Sequence, residues 1–338
     1  MVEPNVRATR GVPSVASIVR PGDDLRLREQ VFDVAAMSQL EETAAMVALL
    51  RHGDRPWHHY SALVEEAGAA TAVLRGEHRG DGEHEPLLLF DPSPGPQTSE
   101  AADLEAIVRE VEAWQDEGMR VLTVLDDEYP PNLRTVHNRP PLLFVRGDLG
   151  PDDARSIAVV GTRQVSEQGR SAATTVARDL ADAGFSVVSG LAQGVDTAAH
   201  LAALARGSRT VAVIGTGLRR SYPAANRALQ ERIAGVGAVV SQFWPDAAPS
   251  KRSFPMRNIV MSGLALATVV IEASHRSGAR MQARIALEHG RPVFLLSSLL
   301  EHDWAREYAQ RPGAHVVDSA AEVASLVERL TAPETLTA

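Results

Sequence analysis

The chain contains no cysteine, and Lys251 is the only lysine among its 34 basic residues. Lack of cysteine excludes disulfides, a thiolate nucleophile and any cysteine-ligated zinc or iron–sulfur centre. No run of about 18 apolar residues occurs that could span a bilayer. The first 21 residues mix Arg, Pro and Glu without the apolar stretch of a secretory signal. The expected location is the cytoplasm, with no membrane partner. Motifs are missing too. There is no Gly-x-x-x-x-Gly-Lys-Ser/Thr element, which argues against a P-loop nucleotidase. The strict Gly-x-Gly-x-x-Gly fingerprint is absent after the first strand of the main domain, which argues against ordinary NAD use, and no His-Glu-x-x-His segment is present. His52, His58 and His59, near Arg51 and Arg55, read as surface residues rather than metal ligands. Neither a cofactor nor a metal is expected.

What is present is a chain of 338 residues, 44% hydrophobic, with a formal net charge of −9. The length predicts a main domain with a smaller one before it. The negative charge argues against a protein that coats nucleic acid with its whole surface, because phosphate neutralisation needs local cations; a local basic patch is compatible with it. The arginine bias is read as codon composition rather than function.

Residues 1–35 read as a loose tail. Helical spacing of apolar residues at 41–50 and again at 60–74, punctuated by 53–56, predicts a small helical unit at 36–76. Residues 77–100, rich in Gly, Pro, His and acids, read as a linker. A helix at 104–114 and strands at 120–125 and 142–147 lead into the main domain, which is expected to end near 330, with 331–338 a tail. From residue 156 the pattern alternates apolar strand, loop and helix, which calls for a parallel sheet covered on both faces. Strands are expected at 157–160, 186–189, 210–214, 238–241, 267–271, 292–296 and 314–317. Helices are expected at 167–183, 197–205, 226–234, 281–289 and 320–330. The fold class is α/β, an extended Rossmann-like, doubly wound, mainly parallel sheet behind the small helical unit.

Ligands of such sheets bind at the carboxyl ends of the strands, and five strand-end loops carry suitable groups. Gly161-Thr162-Arg163 combines close backbone approach with a guanidinium able to grip phosphate, and a helix from about Ser166 would aim its amides there. Ser189-Gly190-Leu191-Ala192-Gln193-Gly194-Val195-Asp196 offers a hydroxyl and two glycines in a strand-to-helix turn. Gly215-Thr216-Gly217 is weaker alone. Lys251 to Asn258 interleaves cations with aromatic rings through Lys251, Phe254 and Arg257, a mix suited to single strands whose bases stack while arginine meets phosphate. Ser277-Gly278 opens the last core helix. Each feature has a plainer reading: glycines as turn residues, Asp196 as a helix cap, His200 as a packed histidine, Phe254 as core. Their coincidence in one sheet favours a ligand site for a phosphate-bearing molecule, single-stranded DNA foremost.

These residues resemble the DNA-processing protein A family of bacteria, DprA or Smf, over about residues 129–320. The resemblance rests on Tyr129-Pro130-Pro131-Asn132-Leu133, Phe144-Val145-Arg146-Gly147, Val160 to Arg163, Ser189 to Asp196 with Ala199-His200, Gly215 to Leu218, Tyr222-Pro223, Asn226, Phe254 to Asn258 and Glu272-Ala273 with Ser277-Gly278. It implies an extended Rossmann-like fold, a sterile-alpha-motif-like unit in front, non-catalytic binding of single-stranded DNA, dimerisation, and delivery of DNA to a RecA-type recombinase during natural transformation. Carried over by position, the DNA pocket would use Gly161, Thr162, Arg163, Lys251, Phe254, Arg257 and Asn258.

The chain departs from the family pattern in four places. Ser241-Gln242 replaces Ser-Glu, Arg257-Asn258-Ile259 replaces Arg-Asn-Arg, the segment after Ser277-Gly278 differs, and Ser297-Ser298 replaces Pro-Gly, which marks a divergent member. A second reading is a sensor or hydrolase of a nucleotide-derived small molecule, with Glu272 the nearest acid in a comparable place. A third is an assembly module of a phage-defence or mobile-element operon.

Overall fold

The computed structural model describes residues 23–76, 100–275 and 277–331. The linker expected at 77–100 lies almost wholly outside them, as do most of the expected N-terminal tail and nearly all of the C-terminal one. The chain separates into two units, 1–40 and 41–338, and the second contains every strand of the described residues.

The helical part consists of α1 (Asp23–His52), α2 (Trp57–Ala67) and α3 (Ala70–Leu74). The apolar spacing at 60–74 predicts one helix, but the chain breaks at Gly68, whose φ of +72° ends α2 in the left-handed conformation that glycine adopts without penalty. Glu42 of α1 then accepts the Ala70 amide at 2.5 Å and caps α3. Helix α2 docks on the α/β body through Ser61, which donates to the Arg139 carbonyl at 2.9 Å, and through the Glu65–Arg139 ion pair.

Helix α4 (Glu100–Asp116) leads to β1 (Met119–Thr123), short α5 (Pro131–Arg134) and β2 (Leu142–Gly147). The repeating part runs β3 (Ser156–Val160), α6 (Glu167–Asp182), β4 (Ser186–Ser189), α7 (Val195–Ala205), β5 (Thr210–Val213), α8 (Arg227–Val236), β6 (Ala238–Ser241), α9 (Ser253–Leu264), β7 (Ala267–Val270), α10 (Gly278–Glu288), β8 (Val293–Leu296), α11 (Asp303–Tyr308), β9 (Ala314–Val317) and α12 (Ala320–Thr331). The nine strands of the described residues join one sheet in the order β1-β2-β6-β5-β4-β3-β7-β8-β9. Pairs β1–β2 and β2–β6 are antiparallel and the rest parallel. The expected strands are present within a residue or two, because runs such as Ile157-Ala-Val-Val160 are buried on both faces and leave little doubt about period or length.

Helices α6, α7 and α12 cover one face. Their Val176, Leu180, Ala199 and Val323 pack on Ile157, Val159, Val187 and Val269 in a continuous core. Helices α9 and α10 pack against each other and against β3, β5, β7 and β8. Right-handed crossovers place them on the opposite face, because the chain reverses direction across the sheet after β6. That reversal makes β3 and β7 neighbours and puts a switch point at their carboxyl ends.

Candidate nucleic-acid interface

At the carboxyl ends of β3, β4 and β5 lies a small, open depression lined by Arg163, Gly190, Ala192, Gln193, Gly215, Tyr222, Pro223 and Phe254. Four elements supply these residues: the loops after the three strands and the first turn of α9.

The β3 loop reaches the site because Gly161 lacks a side chain. A Cβ there would sit 2.3 Å from Val195 Cγ2. Thr162 is held from both sides, its amide donating to the Glu272 carbonyl at 2.7 Å and its carbonyl accepting from Val195 at 3.3 Å. Arg163 is left exposed, with its guanidinium carbon 5.0 Å from the centre of the Phe254 ring. That spacing suits a cation–π contact and leaves the guanidinium free to take an anion.

The β4 loop is shaped from beneath. Ser189 is fully buried and donates its hydroxyl to the Val159 carbonyl at 2.7 Å, so it serves the sheet. Leu191 is fully buried at a φ of +57°, a left-handed conformation that costs a branched residue about 1 kcal/mol. Asn226 holds the loop there by donating to the Leu191 carbonyl and the Thr197 hydroxyl, each at 2.9 Å. Gly190 lies against the guanidinium of Arg257; a Cβ would fall 1.5 Å from Nη1.

Arg257 is 7% exposed and donates to the Val213 carbonyl at 2.9 Å. Its countercharge is Asp196, also buried, which accepts the amides of Ala192 at 3.2 Å and of Gly190. Burial pushes the Asp196 carboxyl up and the Arg257 guanidinium down from their ordinary values, and each charge offsets part of the other's shift. Below them His200 is wholly buried. Thr210 Oγ1 donates its single proton to the Val187 carbonyl, so His200 Nδ1 must be the donor in their 2.7 Å contact. Nδ1 carries a proton in the neutral ring and in the imidazolium alike; it is burial, with the Arg257 charge nearby, that holds the pKa down to about 3 and keeps the imidazole neutral. It sits in the floor as a packed histidine.

The β5 loop and the loop before α9 are locked together. Gly217 donates to the Ala247 carbonyl at 2.9 Å and Arg219 to that of Pro245 at 3.0 Å, while Ser241 donates its hydroxyl to the Thr216 carbonyl at 2.7 Å. The Arg219 side chain spans Glu117 at 2.6 Å and Asp246 at 2.5 Å. Gly215 makes room for Phe254, whose Cδ1 lies 2.9 Å from where a Cβ would be. The Tyr222–Pro223 peptide bond is cis.

Of the residues singled out in the sequence, Arg163, Gly190, Gln193, Gly215 and Phe254 meet in the depression, and Gly161 and Thr162 form the approach of the Arg163 loop. Ser189, Thr216, Arg257 and Asn258 are buried behind it. Gly217 fixes the β5 loop. Lys251 is exposed three residues before Phe254. Ser277 caps α10 by accepting the Ala279 amide at 3.2 Å, with Gly278 as the helix's first residue, and neither lines the depression.

The amides of α6 are not aimed at the ligand side as expected. Ser166 caps Gly169 at 3.0 Å, and the Glu272 carboxylate covers the helix start, accepting the Ser166 hydroxyl at 2.8 Å and its amide at 3.2 Å. A carboxylate held on a helix N-terminus is a structural group. Sequence reasoning missed Ala192, Tyr222 and Pro223 as lining. The Tyr-Pro pair after a Gly-Thr-Gly loop was the available signal for the last two.

Comparison with known proteins places this architecture. The family described as DNA recombination-mediator protein A matches residues 120–329. The DNA processing protein DprA of Streptococcus pneumoniae is 41% identical over 204 residues, 60% of this chain and 72% of that protein. Its crystal structure superposes with a TM-score of 0.57 at 36% identity, covering 68% of this chain and 83% of that one. The DNA processing protein A of Helicobacter pylori, described for its single-stranded DNA binding mode, superposes with a TM-score of 0.55 at 26% identity, covering 62% and 96%. The chain spans about half of another relative, the Smf protein of Synechocystis, at 48% of its length.

Proposed function

The chain belongs to the DNA recombination-mediator protein A family, and on that premise we propose that it binds single-stranded DNA without turning it over, in the depression above β3, β4 and β5. The observation that carries this reading is the pairing of Arg163 with Phe254: an exposed guanidinium 5.0 Å from an aromatic ring, in an open cavity at the carboxyl edge of the sheet. A phosphate meets the guanidinium while a base meets the ring, which is how single strands are held without regard to sequence. Lys251, three residues before Phe254, adds charge along the strand's path.

Nothing specific favours a hydrolase. Glu272 is bound to Ser166, Asp196 is buried against Arg257, and His200 is neutral in the floor. The fuller role, protection of DNA and its transfer to a RecA-type recombinase by a homodimer, follows the family and belongs to the same proposal.

Fluorescence anisotropy of a labelled single-stranded oligonucleotide over a salt series tests the reading. Arg163→Ala should weaken binding and make the log–log salt slope shallower by about 0.7, the share of one phosphate contact. Wild-type affinity in the variant, or no binding by wild type at low salt, would overturn it.

A further inference from the structure

Among the Phe, Tyr and Trp side chains of the described residues, Tyr222 alone is exposed, at 44%. It stands in the site proposed for single-stranded DNA. Its ring centre lies 5.7 Å from that of Phe254, with the two planes 47° apart, and both rings line the depression together with Arg163.

Two rings at this angle cannot sandwich one base, which needs parallel faces, nor can they form one flat platform. Each offers its own face. The loop that carries Tyr222 is also fixed before any ligand arrives. On one side Asn226 ties it to the Leu191 carbonyl and Thr197. On the other, Arg220 donates to the Asp246 carbonyl at 2.7 Å, and Gly217 to that of Ala247 at 2.9 Å. An exposed aromatic ring on a preset loop loses little conformational freedom on binding.

We propose that Tyr222 is a second base platform, and that the depression takes two successive nucleotides of a single strand, one base on Phe254 and the next on Tyr222, with the bases unstacked from each other and Arg163 on a neighbouring phosphate. This deepens the single-stranded DNA reading and rests on it. The angle between the rings then acts as a strand selector, because bases of a duplex are paired and parallel and cannot lie on two planes 47° apart. Preference for single strands resides in this step, while Arg163 supplies affinity for any phosphate backbone.

The test uses the full chain and a short thymidine strand carrying one adjacent pair of 2-aminopurines, whose stacking on each other gives a circular-dichroism couplet. Wild type should bind and abolish the couplet. Tyr222→Ala should bind about tenfold more weakly, keep the wild-type salt slope because no phosphate contact is lost, and leave the couplet in place. Tyr222→Phe should restore both affinity and loss of the couplet, since the face and not the hydroxyl is used. Tyr222 is exposed, and the melting curve of the alanine variant checks that its fold is intact. Wild-type affinity in Tyr222→Ala, a couplet that survives binding to wild type, or failure of Tyr222→Phe to rescue overturns the second platform. If those failures occur while Arg163→Ala still weakens binding, the DNA site stands without the second platform; if wild type binds no oligonucleotide at all, both readings fall.

Discussion

His200 shows how much of this site is decided by one residue's surroundings. With Nδ1 donating to Thr210 and the ring fully buried, its pKa is about 3 in the folded protein against about 6.5 in an unfolded chain. The depressed value means that between pH 6.5 and pH 3 the unfolded chain binds a proton that the folded protein refuses. Stability therefore rises with pH across that window and falls on acidification, by the linkage relation. His289, which contacts Ser262 and Asn138 at 3.0 Å each and is held down to about 4 by burial, adds the same sign between pH 6.5 and 4. Urea midpoints measured from pH 7 to pH 5 should fall steadily, and His200→Gln should flatten the dependence by about one proton. Asp196, raised by burial, contributes with the opposite sign, so the decisive comparison is between the two proteins: a pH dependence unchanged in His200→Gln would refute the buried neutral imidazole. Arg257 is decided by its surroundings in the same way. Its place between Phe254 and Asn258 suggests a cation facing the ligand, but helix α9 begins at Ser253 and carries the side chain into the sheet, where Val213 and Asp196 receive it. The partner comes from a different element, so no local pattern reveals the turn inward.

Among the elements, the sheet was readable and α9 was not. Parallel strands buried on both faces announce themselves as short apolar runs between glycine-rich turns. Helix α9 buries Arg257, Asn258 and Ser262 as well as Val260 and Met261, so its inward face is partly polar and its helical period is masked. The packing of the helical unit onto the sheet was equally hidden, since it depends on tryptophans far apart in the chain. Trp57 of α2 meets Trp244 edge-on with centres 5.2 Å apart. Trp114 of α4 lies 6.2 Å from Trp244 and 5.1 Å from Phe144 of β2. The Arg51 guanidinium, forked onto Glu110 at 2.7 and 2.8 Å, sits 5.0 Å from the Trp244 ring. Trp114 is the buried member, at 2% exposure. Trp114→Ala should cost about 3–5 kcal/mol of stability, read from urea unfolding, and a loss under about 1 kcal/mol would show that the ring cluster is not a packed joint.

At the scale of the whole molecule, charge sets the limits of the DNA interaction. A net charge of −9 gives no broad attraction to a polyanion, so binding depends on the few cations beside the depression. Many arginines are engaged elsewhere: Arg219 spans Glu117 and Asp246, Arg209 holds Asp153 at 2.7 Å, and Arg155 meets Glu328 at 2.9 Å. Arg163, Lys251 and Arg252 make no ion pair among the described residues, and all are exposed. Three such cations neutralising three phosphates give a salt slope of about −2 for single strands, or roughly fifteenfold weaker binding between 50 and 200 mM salt. A measured slope near −7 would require about ten phosphate contacts, far more cation than this edge of the sheet presents, and would move the DNA path to another surface of the molecule.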